Sequence, residues 1–82
     1  MNKKKLFEKA LRSPQNISFQ DLRMLIEAFG FSLSRSRGSH FVYVHPLVSE
    51  LVNIQEKHGE AKSYQVRQFL LLVERYHLSL GG

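Results

Sequence analysis

The 82-residue chain has no cysteine, which excludes a disulfide framework, a thiolate metal site and a cysteine nucleophile. A chain this short must then be held by packing or by a partner, and a reducing compartment suits it. Long apolar runs are missing as well. The longest, Phe69 to Val73, falls far below the ~20 residues that span a bilayer. Glu8 and Lys9 interrupt the stretch after Lys3, Lys4 and Lys5 that would otherwise read as a signal-peptide core. The expectation is a soluble, cytoplasmic protein. There is no internal repeat, no low-complexity segment and no linker long enough to divide the chain.

Acidic residues are scarce too, 7 Asp+Glu against 12 Lys+Arg, for a net charge of +5. The imbalance is local. Lys3, Lys4, Lys5, Lys9, Arg12, Arg23, Arg35 and Arg37 precede residue 46 with only Glu8, Asp21 and Glu27 to offset them, whereas the charges of residues 46–82 balance. A concentrated cationic region attracts a polyanion or an acidic protein, because neutralising neighbouring phosphates releases condensed counterions. For Lys3 to Lys5 the plainer reading is a solubilising terminus. Arg35 and Arg37 lie inside the fold.

What is present is a 43% hydrophobic chain with clear periodicities. Leu6, Phe7, Ala10 and Leu11 predict a short leading helix, stopped before Pro14. Ser18 can cap a second helix in which Phe19, Leu22, Leu25, Ile26 and Phe29 share a face, with Gly30 as its C-terminal stop. From Phe31 the period becomes two. Phe31 and Leu33 read as the buried face of a strand, with Arg35 and Arg37 continuing that face beyond the core. Gly38-Ser39 supplies a hairpin turn, His40 to Val44 a second strand, and Glu50 to Gln55 a third. Ser63 is positioned to cap a last helix whose apolar face runs through Val66, Phe69, Leu70, Val73, Tyr76 and Leu80, before a Gly81-Gly82 tail. The expected fold is α+β, a three-stranded antiparallel sheet with helices on one face.

Most chemistry can be excluded by residue type and spacing. His40 and His45 are an odd number of strand residues apart and face opposite sides, and His58 and His77 lack partners at ligand spacing, so no metal site is expected. The acids offer no pair for general acid and base work, and the serines have no nucleophile-elbow setting. No G-x-x-x-x-G-K phosphate loop occurs. What remains is Arg35-Ser36-Arg37-Gly38-Ser39-His40. Two guanidiniums can grip phosphate oxygens, turn amides can add donors, and an imidazole, which titrates near ~6.5 in its ordinary state, can pass a proton at neutral pH. The same six residues also read as an ordinary hairpin turn.

Ile26-Glu27-Ala28-Phe29-Gly30-Phe31, Arg37-Gly38-Ser39-His40 followed by Val42-Tyr43 and His45-Pro46, then Asn53-Ile54-Gln55, and Ala61-Lys62-Ser63-Tyr64-Gln65-Val66-Arg67-Gln68 together resemble the HicA family of bacterial toxins, mRNA interferases of type II toxin-antitoxin pairs. The resemblance covers about residues 16 to 80 and implies a fold like a double-stranded-RNA-binding domain, α-β-β-β-α. It divides the chain into a basic N-terminal helical extension, residues 1–16, and a toxin domain, residues 17–80. The family's catalytic histidine, in its Gly-Ser-His motif, carries over onto His40, and Gly38 and Ser39 match the turn that presents it. Arg37 matches a frequently basic position. Arg35 and Lys62 are added as phosphate-binding residues on electrostatic grounds. Many members have a second histidine after the motif, where this chain has Phe41.

The function so implied is a metal-independent mRNA endoribonuclease without cofactor, acting through His40 and neutralised by a HicB antitoxin, the toxin being a monomer alone or a hetero-oligomer with its antitoxin. RNA carries its own nucleophile, the 2′-hydroxyl, so cleavage needs proton transfer and phosphorane stabilisation rather than a metal. The alternative from another class is a non-catalytic RNA-binding module, which the same fold and basic edge would suit. Membrane binding through Lys3 to Leu11 is not expected, because four apolar residues over two turns insert weakly.

Overall fold

The computed structural model describes residues 2–81; Met1 and Gly82, the last residue of the expected tail, lie outside it. Helix α1, Lys3–Arg12, is capped by the Asn2 side chain, which accepts the Lys5 N–H at 2.8 Å, and it buries Leu6 and Ala10. A 3₁₀ turn at Pro14–Asn16 leads to helix α2, Phe19–Ala28. There the Ser18 hydroxyl accepts the Asp21 N–H at 3.1 Å, and Asp21 lies in the electropositive first turn. Gly30 closes α2. Its φ of +94° lets its own N–H reach Glu27 O (3.0 Å) while Phe31 N–H reaches Ile26 O (3.4 Å), a paired C-cap that satisfies two orphan carbonyls. A Cβ at Gly30 would also stand 3.0 Å from His45 Nε2.

Strands β1 (Ser32–Arg37), β2 (His40–His45) and β3 (Val48–Gln55) form an antiparallel sheet in the order β1-β2-β3, and helix α3, Ser63–Arg75, follows. The expected α+β architecture is therefore the observed one, α-β-β-β-α with an additional leading helix. Phe41, Tyr43, Val52 and Ile54 point from the sheet toward the helices. They meet Phe19, Leu22, Leu25 and Ile26 of α2 and Val66, Phe69 and Val73 of α3 in one core. Leu6 and Ala10 of α1 belong to that same core, and Phe7 packs edge-on to Phe29 with centroids 5.1 Å apart.

The strand β1 expectation needs correction. Ser32–Arg37 is exposed along its whole length, and its pairing with β2 slips: Leu33 pairs with Tyr43, but Arg35, not Ser34, pairs with Val42. Ser34 is the extra residue of a β-bulge, and one extra residue moves every later side chain to the other face. Arg35 and Arg37 thus leave the Phe31 and Leu33 face and join the open face of the sheet. Three boundaries also differ. Strand β3 begins at Val48, ahead of the expected start at Glu50, because Val48 is buried and pairs with His45.

The α3 N-cap is Lys62, not Ser63, whose hydroxyl instead accepts from Arg67 Nη1 at 3.4 Å. Helix α3 stops at Arg75, short of Leu80, because His77 takes a left-handed conformation (φ +52°) and supplies the same paired cap that Gly30 supplies to α2, Leu78 N–H reaching Val73 O at 2.9 Å. Gly81 is docked rather than loose, its N–H donating to Ala28 O at 2.8 Å.

Candidate functional site

The open face of the sheet is organised in rows, because residues paired across antiparallel strands project to the same side. One row reads Arg37, His40, Gln55 across β1, β2 and β3. The next reads Arg35, Val42, Asn53. Neighbouring strands are ~4.8 Å apart and alternate residues of one strand ~7 Å apart, so the six side chains form one compact group. Arg35, Arg37, His40, Val42 and Asn53, with Ser36, line a shallow depression of about 450 Å³ that contains no acidic residue.

Each cationic or titratable member is set by a local feature. The Ser34 bulge turns Arg35 and Arg37 onto this face. The tight turn Gly38-Ser39 then brings β2 back so that His40 is the direct partner of Arg37. Gly38 has φ +59°, a conformation that suits glycine at the first central position of a hairpin turn, and a Cβ there would meet nothing within 4 Å. The turn is tied to the sheet by the Glu56 N–H, which donates to Ser39 O at 2.9 Å.

Lys62 does not line the depression but is linked to it. Its Nζ donates to Gln55 Oε1 at 2.9 Å, and Gln55 is the cross-strand partner of His40. The Gln55 N–H in turn donates to Oε1 of Gln65, a buried glutamine of α3, at 3.1 Å. Lys62, Gln55 and Gln65 therefore form a polar brace between the start of α3 and the row that holds His40. Asn53, Gln55 and Gln65 are members of this arrangement that were not among the site residues expected from the sequence. Alternation along β3 places Asn53 and Gln55 on the face opposite Val52 and Ile54, a signal that was available; the burial of Gln65 depends on tertiary packing and left none.

The opposite face holds β2 rigidly against α2. Tyr43 is fully buried, and its hydroxyl accepts from Arg23 Nε at 2.8 Å and donates to Glu27 Oε2 at 3.0 Å. Burial pushes the Tyr43 phenol above its ordinary 10.0, and the Glu27 hydrogen bond acts in the same direction against the opposing pull of Arg23. The Arg23 guanidinium also sits 4.5 Å from the centroid of the Phe41 ring. His45 is engaged elsewhere: its Nδ1 accepts the Leu47 N–H at 3.0 Å and its ring packs on Phe31 at 4.9 Å. His40 is the exposed histidine of the strand, on the other side of the sheet. Among the described residues no group of three or more His, Asp or Glu could hold a metal ion, and no helix is long and apolar enough to cross a membrane.

These features define a small α+β domain whose helices cover one side of a three-stranded sheet and whose open side is basic around a single exposed histidine. The family model described as HicA toxin of bacterial toxin-antitoxin matches residues 19–72, well over half of the chain. The chain belongs to the HicA toxin family of bacterial toxin-antitoxin systems. The matched segment starts at the first residue of α2 and ends within α3, so α1 lies outside it although it shares the core. No curated protein and no solved structure matches the chain.

Proposed function

We propose that the protein is a metal-independent mRNA endoribonuclease in which His40 handles the proton and Arg37 and Arg35 hold the phosphate, with Gly38 and Ser39 presenting them and Lys62 adding positive charge from the end of the row, where it is braced on Gln55. The observation that supports this reading most is the direct cross-strand pairing of Arg37 with His40 on an open face without carboxylates. An imidazole beside a guanidinium can take the 2′-hydroxyl proton while the cation stabilises charge on the phosphate oxygens. The 2′-oxygen bonds to phosphorus, the bond from phosphorus to the 5′-oxygen breaks, and the departing oxygen takes up a proton. The products are a 2′,3′-cyclic phosphate and a 5′-hydroxyl. With one imidazole serving both proton steps, turnover is modest.

Residues 17–80 constitute the toxin domain in this reading, and residues 1–16 a basic extension whose helix shares its core. The partner is a HicB antitoxin that covers the basic open face, and the compartment is the cytoplasm. The test is incubation of the purified chain with an RNA strand and with its all-deoxy counterpart, with and without EDTA. The RNA is cut to cyclic-phosphate ends in both conditions and the DNA is not. Cutting of the all-deoxy strand, or strict dependence on a divalent ion, contradicts the mechanism; binding of RNA with no cleavage under any condition favours a non-catalytic RNA-binding module.

A further inference from the structure

The sheet has two outer edges, and they differ. Strand β1 carries features that keep an edge from pairing further: the Ser34 bulge and the charges of Arg35 and Arg37. Strand β3 has no lysine, arginine or proline in its eight residues, and Glu50, its one charged residue, is neutralised by Arg75 Nη1 at 2.7 Å. The direction of its amides follows from the pairing with β2. Because the Glu56 N–H donates to Ser39 O, the next pair, His40 with Gln55, shares no backbone hydrogen bond, and the Gln55 N–H points outward to Gln65 Oε1 at 3.1 Å. Alternation turns the N–H and C=O groups of Asn53 and Leu51 outward as well, and among the described residues no hydrogen bond meets them. Beside this edge runs a groove of about 260 Å³ against α3, with Leu51 and Leu71, each 57% exposed, among its lining.

We propose that the outer edge of β3 pairs with the same edge of a second copy of the chain. A two-fold interface needs a patch that complements itself. Apart from Glu50 and Arg75, which neutralise each other, the residues lining this groove are uncharged, so two chains of net charge +5 can approach here without setting cation against cation. The surfaces that carry Lys3 to Arg12, or Arg35 and Arg37, do not allow that. Antiparallel pairing centred on Val52 sets Leu51 against Asn53 of the second copy and Asn53 against its Leu51, so that the outward N–H and C=O groups of both residues are satisfied in each chain. Gln65 ends the ladder, because it already holds the Gln55 N–H. The exposed Leu51 and Leu71 side chains supply apolar area at the same junction. Since residues of like face are paired, the product is one sheet in the order β1-β2-β3-β3-β2-β1, with both Arg37 and His40 rows on one side. The chain by itself is then a dimer rather than the monomer expected from the sequence.

The experiment is sedimentation equilibrium of the full chain from about 1 μM to 1 mM, beside Leu51→Lys, which adds an edge lysine at an exposed position, and Asn53→Pro, which removes an outward N–H that the β2 ladder does not use. Leu33→Lys, on the β1 edge, is the control. The expected result is that the mass of the wild type and of Leu33→Lys rises with concentration from 9.5 kDa to twice that value, while both β3 variants stay at 9.5 kDa and are folded by circular dichroism. Amide hydrogen exchange of the wild type supplies a readout that needs no variant: the Leu51 and Asn53 amides slow as concentration rises, and the amides of β1 do not change. A wild type that stays at 9.5 kDa throughout overturns the proposal. So does a dimer that persists undiminished in a folded Leu51→Lys, or one in which the Leu51 and Asn53 amides exchange as fast as in dilute solution.

Discussion

Glu50 shows how a single half-buried carboxylate becomes a pH-dependent tether. The Tyr76 hydroxyl donates a hydrogen bond to its Oε1, the Ser49 hydroxyl donates at 2.8 Å, and Arg75 Nη1 lies 2.7 Å from Oε2. These donors, Tyr76 foremost, lower the Glu50 carboxyl from its ordinary 4.5 to about 2. Because the folded value lies below the unfolded one, the contribution is complete above pH 4.5 and is lost as pH falls from there toward about 2. Tyr76→Phe removes the largest cause. Denaturant midpoints of the two proteins at neutral pH and near pH 3 are expected to show a smaller acid loss in the variant, and an identical loss in both would refute this role for Tyr76. At the same scale, the residue types of the candidate site were readable in the sequence because arginine, histidine and a glycine turn each carry distinct chemistry. Alternation along β3 placed Asn53 and Gln55 on the open face, but which residues they join there depends on the strand pairing that sets Val42 and His40 opposite them.

The elements explain which geometry could be anticipated. Helix positions followed from apolar spacing, and both α1 and α2 end where the chain chemistry requires, at Ser13 before Pro14 and at Gly30. The face of β1 could not be read. Counting alternate residues carries Arg35 and Arg37 onto the Leu33 side, and only the pairing partners reveal that Ser34 is left over. The end of α3 is a similar case, since a histidine rather than a glycine adopts the left-handed cap. Helix α1 lies outside the family match, yet Leu6 is 1% and Ala10 0% exposed. Truncating Leu6 to alanine is expected to cost about 2–5 kcal/mol, as for other fully buried leucines, measured by equilibrium urea unfolding. A loss of under about 0.5 kcal/mol, the range of surface substitutions, would mean that α1 is a detachable appendage.

At the scale of the molecule, function follows from an asymmetry between two faces. The helices cover one side of the sheet and give β2 a rigid bed through Tyr43, Arg23 and Glu27. The other side presents Arg35, Arg37 and His40, with Lys62 braced at the end of the row. If three cations contact a single strand, the logarithm of RNA affinity falls against the logarithm of salt concentration with a slope near about −2, and removing Arg37 makes it shallower by about 0.7. A slope near zero would contradict the electrostatic part of the account. The order of helices and strands, and with it the α+β class, was legible because each period persists over a whole element; the two-row site was not, because it exists only after three separate strands have paired.

The most direct test of the central claim compares the wild type with His40→Ala on one RNA, measuring cleavage and affinity together and confirming by circular dichroism that both proteins are folded. His40 is exposed at the head of β2, so the substitution leaves the core intact. The account predicts that His40→Ala abolishes cleavage and binds the RNA nearly as well as the wild type. Cleavage that survives the substitution, or affinity that disappears with it while the fold remains, would contradict the assignment of His40 to the proton-transfer step.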